Sequence, residues 1–210
     1  MIWLRYILNL LAIISLIVLL SFTQRKQEVL PCKEVKISII DEASSFITKR
    51  EILQIINSIV DSVEGLPIHE ISIYEIEQTI CNHPHIQSAD VFLLPNAELQ
   101  VQVSQKKPIV RVFNLSGESF YIDASANAFP LSKNFTERVL IANGNIVDSS
   151  DVSVISKVAN YINDDEFLKA QIIQLHMNED KEIELVPREG NHTILLGEIS
   201  RFEVWASPLS

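Results

Sequence analysis

Residues 71–104 read ISIYEIEQTICNHPHIQSADVFLLPNAELQVQVS, and the succession of signals in them decides the fold. Ser72 and Glu75 stand three apart ahead of an apolar stripe of Ile73, Ile76 and Ile80, which predicts a capping box opening a short helix. Pro84 ends it, because proline lacks the amide hydrogen a helix needs and disfavours helical backbone before it. Two strands follow, at residues 87–94 and 98–104, joined by the Pro95-Asn96 turn. In the second, Leu99, Val101 and Val103 alternate with Glu98, Gln100 and Gln102, the period-two pattern of a strand with one face on a core.

Upstream, Thr48 and Glu51 form another capping box before Ile52, Ile55, Ile56, Ile59 and Val63, a longer amphipathic helix broken at Gly65 and Pro67. Before it, Val35, Ile37 and Ile39 alternate with Lys36 and Ser38 as a strand. Residues 35–107 therefore run strand, helix, helix, strand, strand.

Downstream, Lys106-Lys107-Pro108 is a polar, extended break and marks a domain boundary. A sheet-rich domain over residues 108–210 follows. Its strands are placed at 109–113 and 120–122 around Ser116-Gly117, then at 128–131 and 139–142. Ser150 or Asp151 caps a helix to about residue 162 with Val154, Ile155, Val158 and Ile162 inward, and residues 164–169 add a turn. A three-strand meander at 172–177, 183–186 and 193–196 closes the domain. The fold class is α+β.

At the N-terminus, residues 2–22 read IWLRYILNLLAIISLIVLLSF with Arg5 as the one charge, enough for a helix of about 30 Å and a single membrane crossing. Residues 1–23 are read as a tail and transmembrane helix and 24–34 as a linker. A cleavable signal peptide is the rival reading, with Ser21 and Thr23 a poor cleavage site. Arg5 and the terminal amine on one side, and Arg25 with Lys26 on the other, leave orientation open by charge alone.

Composition narrows the function. The 47% hydrophobic content excludes wholesale disorder, and the formal net charge of −10 argues against nucleic acid as a partner. His69, His83 and His85 sit close in sequence, and His83-Pro84-His85 suggests a metal, but Glu70, Glu75 and Glu77 follow no ligand spacing and nothing else closes a site; His83 reads instead as a favourable residue at the C-terminal end of its helix. His176 and His192 read as strand-surface residues. No hydrolase or nucleotide-binding signature is present, so no catalytic, cofactor-binding or metal residue is assigned, and no small-molecule substrate is expected. Cys32 and Cys81 could bridge in an oxidising compartment, but two unrelated thiols is the preferred reading.

Four segments carry a family resemblance: residues 71–94 (ISIYEIEQTICNHPHIQSADVFLL), 101–112 (VQVSQKKPIVRV), 121–131 (YIDASANAFPL) and 184–197 (ELVPREGNHTILLG). In this order behind an N-terminal apolar run, they resemble FtsQ/DivIB, single-pass bacterial cell-division proteins with an extracytoplasmic POTRA domain followed by a β domain. The chain departs from the family pattern at Gln105, where an acidic residue is common, and at Ala126, where glycine is common, so that Asn127 is expected to take the positive φ. Family members usually continue past the LLGEI region with a helix and a final strand that adds a partner's strand; that strand is expected to be absent here.

The resemblance implies a non-enzymatic divisome scaffold in the inner membrane at the septum, N-terminus cytoplasmic and body extracytoplasmic. Its implied partners are FtsB- and FtsL-like coiled-coil proteins and the septal wall synthase complex. Open sheets leave edges that accept a partner strand. The candidate edges are Ile183, Glu184, Leu185 and Val186, and Thr193, Ile194, Leu195 and Leu196. Two alternatives stand beside this reading: a POTRA-bearing component of an export or envelope-assembly system, and an exported enzyme of unknown type.

Overall fold

A computed structural model of the chain describes residues 3, 6, 9–18, 30–40, 45–190 and 192–197. Trp3, Tyr6 and residues 9–18 are helical; the rest of the predicted span at 2–22 lies outside the described residues, as does 198–210. Among the described residues, no helix is long and apolar enough to cross a membrane.

The chain divides into two compact units, one of residues 1–40 with 48–104, the other of 41–47 with 105–210. The first contains β1 (Glu34–Ile40), α1 (Lys49–Ile59), a 3-10 turn (Ile68–Glu70), α2 (Ile73–Cys81), β2 (Ile86–Leu93) and β3 (Glu98–Gln105), whose last residue falls past the division. The Thr48 hydroxyl accepts from Glu51 N–H (3.2 Å) and the Glu51 carboxylate accepts from Thr48 N–H (2.8 Å), the reciprocal bonds its spacing predicts. At α2 the predicted box does not form. Ser72 stands at the helix start with φ −80° and ψ 84°, and its side chain makes no capping bond.

The three strands lie in the order β1-β3-β2, with β1 parallel to β3 from Glu34 opposite Glu98 to Ile40 opposite Ser104. Ile52 and Ile56 of α1, Ile76 and Ile80 of α2, and Leu99, Val101 and Val103 of β3 are fully buried. Each stretch thus commits its apolar face to one core, the main favourable term in folding.

The second unit contains β4 (Pro108–Asn114), β5 (Ser119–Asp123), β6 (Ala128–Pro130), β7 (Leu140–Gly144), α3 (Ser149–Asp164), α4 (Glu166–Gln171), β8 (Ile172–Met177), β9 (Ile183–Pro187) and β10 (Ile194–Gly197). Its seven strands run β10-β9-β8-β7-β4-β5-β6. The centre is parallel, β4 with β7 and β7 with β8, while the flanking pairs are antiparallel. The α3–α4 segment supplies the crossover that a parallel β7–β8 pair requires. Ile155, Val158, Ala159 and Ile162 of α3 join Val110, Val112, Ala142 and Leu175 of the sheet in one buried cluster. Gly144, at φ +101°, ends β7 between its two neighbours, paired with Asn114 and Met177.

Asp148, rather than Ser150 or Asp151, caps α3: its carboxylate accepts from Asp151 N–H (2.9 Å), and Asp151 accepts in return from Asp148 N–H (3.2 Å). Asp151 is buried and also accepts from Val147 N–H (2.8 Å) and from Lys181 Nζ (2.7 Å). Burial alone pushes its carboxyl up, but the Lys181 ammonium and the two backbone donors outweigh that and hold it below the usual aspartate range. A lowered folded pKa stabilises above the unfolded value of about 3.9 and ceases to do so as pH falls through the folded one. Wild type should therefore lose more stability than Asp151→Asn between about pH 5 and pH 3, as urea denaturation at each pH will measure.

Residues 45–47, between β1 and α1 in sequence, group with the second unit, although the sequence reading placed them in the first. Phe46 is 1% exposed, edge-on to Tyr121 (5.7 Å between ring centroids), Phe129 (6.3 Å) and Phe135 (5.4 Å). Its carbonyl accepts from Ser132 Oγ (2.7 Å), and Ile47 N–H donates to the buried Gln105 Oε1 (3.0 Å). An amide oxygen at 105 thus serves the acceptor role that a carboxylate could fill.

In the turn after β5, Ala126 itself takes the positive φ (63°), not Asn127. The Asp123 carboxylate accepts from the N–H groups of Ser125 (2.9 Å) and Asn127 (2.8 Å) and from the Asn127 side-chain amide (3.0 Å), fixing the turn around the alanine.

Candidate partner-binding site

The strand order separates the eight predicted partner-contact residues into two groups. β9 is bonded on both sides, to β8 and to β10, so Ile183, Glu184, Leu185 and Val186 offer no free edge. Ile183 and Leu185 are buried in the core; Glu184 and Val186, on the opposite face, are half-buried. Period-two patterning shows which side chains face inward but not which strands are neighbours, and the sequence reading took an interior strand for an edge.

β10 is the outer strand of the sheet among the described residues, with β9 as its one neighbour. Ile194 lies opposite Leu185 and Leu195 opposite Glu184, after which a register shift brings Gly197 opposite Ile183. Ile194 and Leu195 are 44% and 61% exposed, and Leu196 is half-buried against the core. Thr193 precedes the strand and is exposed. An outer strand carrying exposed branched apolar side chains suits main-chain pairing with an added strand, its side chains supplying selectivity. The opposite edge, β6, has three residues and ends on Pro130, which has no N–H to offer.

His83 Nδ1 accepts from His85 N–H (3.4 Å), and burial, followed by the proximity of His85, holds His83 below the usual histidine range. It lies just past the C-cap residue Asn82 of α2. His176, expected at the strand surface, is half-buried with its Nδ1 2.8 Å from Asn143 Oδ1, while His192 is exposed. Cys32 is buried and Cys81 half-buried, both as free thiols. Among the described residues, no group of three or more His, Cys, Asp or Glu side chains gathers to hold a metal.

The architecture agrees with two family models. One described as POTRA-like domain matches residues 30–104, and one described as FtsQ/DivIB, C-terminal related, matches residues 107–209. Among curated proteins, none matches the chain. With a POTRA-like domain followed directly by an FtsQ/DivIB-related C-terminal domain, the chain belongs to the FtsQ/DivIB family.

Proposed function

We propose that this protein is a non-enzymatic scaffold of the cell-division machinery that joins the division ring to septal wall synthesis by holding other division proteins. The observation that carries the reading is the outer strand β10, exposed at Ile194 and Leu195, within a domain of this family. In this reading β10 accepts a strand from an FtsB- or FtsL-like coiled-coil protein, and the wall synthase complex is recruited through that assembly.

The apolar run at 2–22 anchors the protein in the bacterial inner membrane, with the N-terminus cytoplasmic and both domains on the far side. Supporting this, Leu10, Leu11, Ile13, Ile14, Leu16, Ile17 and Val18 lie on one helix, and each is 49% to 59% exposed. A helix whose apolar side chains are this exposed among the described residues suits a lipid surrounding.

The test is co-purification of the full chain with FtsB- and FtsL-like proteins, wild type beside Leu195→Lys. Lysine at a free edge opposes strand addition and should leave the fold intact, since Leu195 is largely exposed. The expected result is capture by wild type and at least a tenfold weaker complex for the variant, a loss of about 1.4 kcal/mol. Equal capture would remove β10 from the interface, and no capture of either protein would overturn the scaffold reading.

A further inference from the structure

A groove of about 700 Å³ opens in the second unit where the starts of β4, β7 and β8 meet the C-terminal end of α3. Its floor is aliphatic, with Ile109, Leu140, Ile162 and Ile172 among the lining residues. Lys107, Arg138, Lys169 and Arg188 also line it and are all exposed, while Glu137 is the one carboxylate on the lining. Four of the chain's 17 basic residues thus converge on one cavity of a protein in which 27 acidic residues outnumber them. The side-chain nitrogen of Asn163, on the same lining, is buried and has no hydrogen-bond acceptor among the described residues. Buried donors are satisfied almost everywhere in folded proteins, so this one points to an acceptor supplied from outside.

Helix-end electrostatics account for part of the pattern and not the rest. Lys169 lies in the last turn of α4, where a cation complements the helix dipole. Arg138 and Arg188 lie on no helix, and neither forms an ion pair with a described residue. Two guanidinium groups without an ion pair among the described residues, beside an apolar floor, suit forked, two-point recognition of carboxylates. Phosphate and nucleotide ligands fit less well: α3 turns its carbonyl end toward the groove, and no aromatic ring lines it to stack on a base.

We propose that this groove receives an acidic peptide segment of a partner protein, with an aliphatic side chain on the floor, flanking Asp or Glu carboxylates at Arg138 and Arg188, and an oxygen accepting from Asn163. The volume lies within the range of sites that enclose a small ligand or a few side chains. No groove residue belongs to β10, so this surface is separate from the strand edge and does not rest on the scaffold reading.

Selection of a random twelve-residue peptide library on the full chain, with the double variant Arg138→Glu, Arg188→Glu in parallel, tests the proposal. The expected result is enrichment of peptides in which Asp or Glu flanks Leu, Ile or Val. Those peptides should bind the double variant at least tenfold more weakly and wild type several-fold more weakly at 200 mM than at 50 mM salt. Their binding should also shift the Asn163 side-chain amide resonances of wild type. Both arginines are exposed, so the variant should keep its denaturation midpoint. Peptides without acidic enrichment, or acidic peptides that bind the double variant equally, would overturn it. Tight binding of sodium tripolyphosphate without any enriched acidic peptide would assign the groove to a phosphate ligand and overturn it as well.

Discussion

Replacing Gly144 by alanine is expected to destabilise the second unit severely. At φ +101° the residue occupies backbone that side chains with a Cβ rarely adopt. A Cβ built there would run into the Met177 carbonyl oxygen, a backbone atom of β8 that cannot swing aside as a flexible side-chain end can. Nor can the strand shift away, because Gly144 is paired on one side with Asn114 and on the other with Met177 in the parallel centre of the sheet. Conformational strain and steric overlap act together, and a loss of about 4 kcal/mol or more is expected, in the range few single substitutions reach. Urea denaturation followed by circular dichroism, with amide exchange across β4, β7 and β8, will measure it. Gly117, also at positive φ but with nothing near its would-be Cβ, is the control: alanine there meets the backbone strain alone and should cost about 1–2 kcal/mol.

Phe46→Ala should cost about 3–5 kcal/mol, the usual range for emptying a buried aromatic site. The ring is edge-on to three others and its surroundings are already filled by Leu131 and Val139, so little collapse into the void is available. Phe46→Leu should restore roughly half, because it recovers apolar volume without the edge-to-face ring contacts. The same denaturation experiment measures both variants. A loss below about 1 kcal/mol for the alanine variant would mean that the aromatic cluster does not depend on residue 46.

What the sequence made legible is what its neighbours in sequence determine. Thr48 and Glu51 are three apart, and their capping bonds need nothing from elsewhere in the chain. Ser72 and Glu75 have the same spacing, but Ser72 takes φ −80° and ψ 84° and its side chain makes no capping bond, so spacing alone does not decide a cap. The alternations around Val110, Leu175 and Ile183 locate strands correctly while leaving their order unknown. The parallel β4-β7-β8 centre, and with it the interior position of β9, therefore had to come from the structure. Of the two segments expected to be sheet edges, the sequence could not tell the outer β10 from the interior β9. The groove was invisible for a related reason: Lys107 and Arg188 lie far apart in the chain, and no local pattern marks residues that meet only when the sheet closes.

Phe46 also imposes an order in time. Ser132, which donates to its carbonyl, follows 86 positions later in the chain. At synthesis rates of about 5–20 residues per second, roughly 4–17 s pass between the two. Throughout that interval an aromatic side chain destined for full burial waits without the rings that will enclose it. A nascent chain of this protein therefore carries a sticky residue near its start for seconds. Until the second unit closes, that exposed apolar surface makes the partly made chain prone to association.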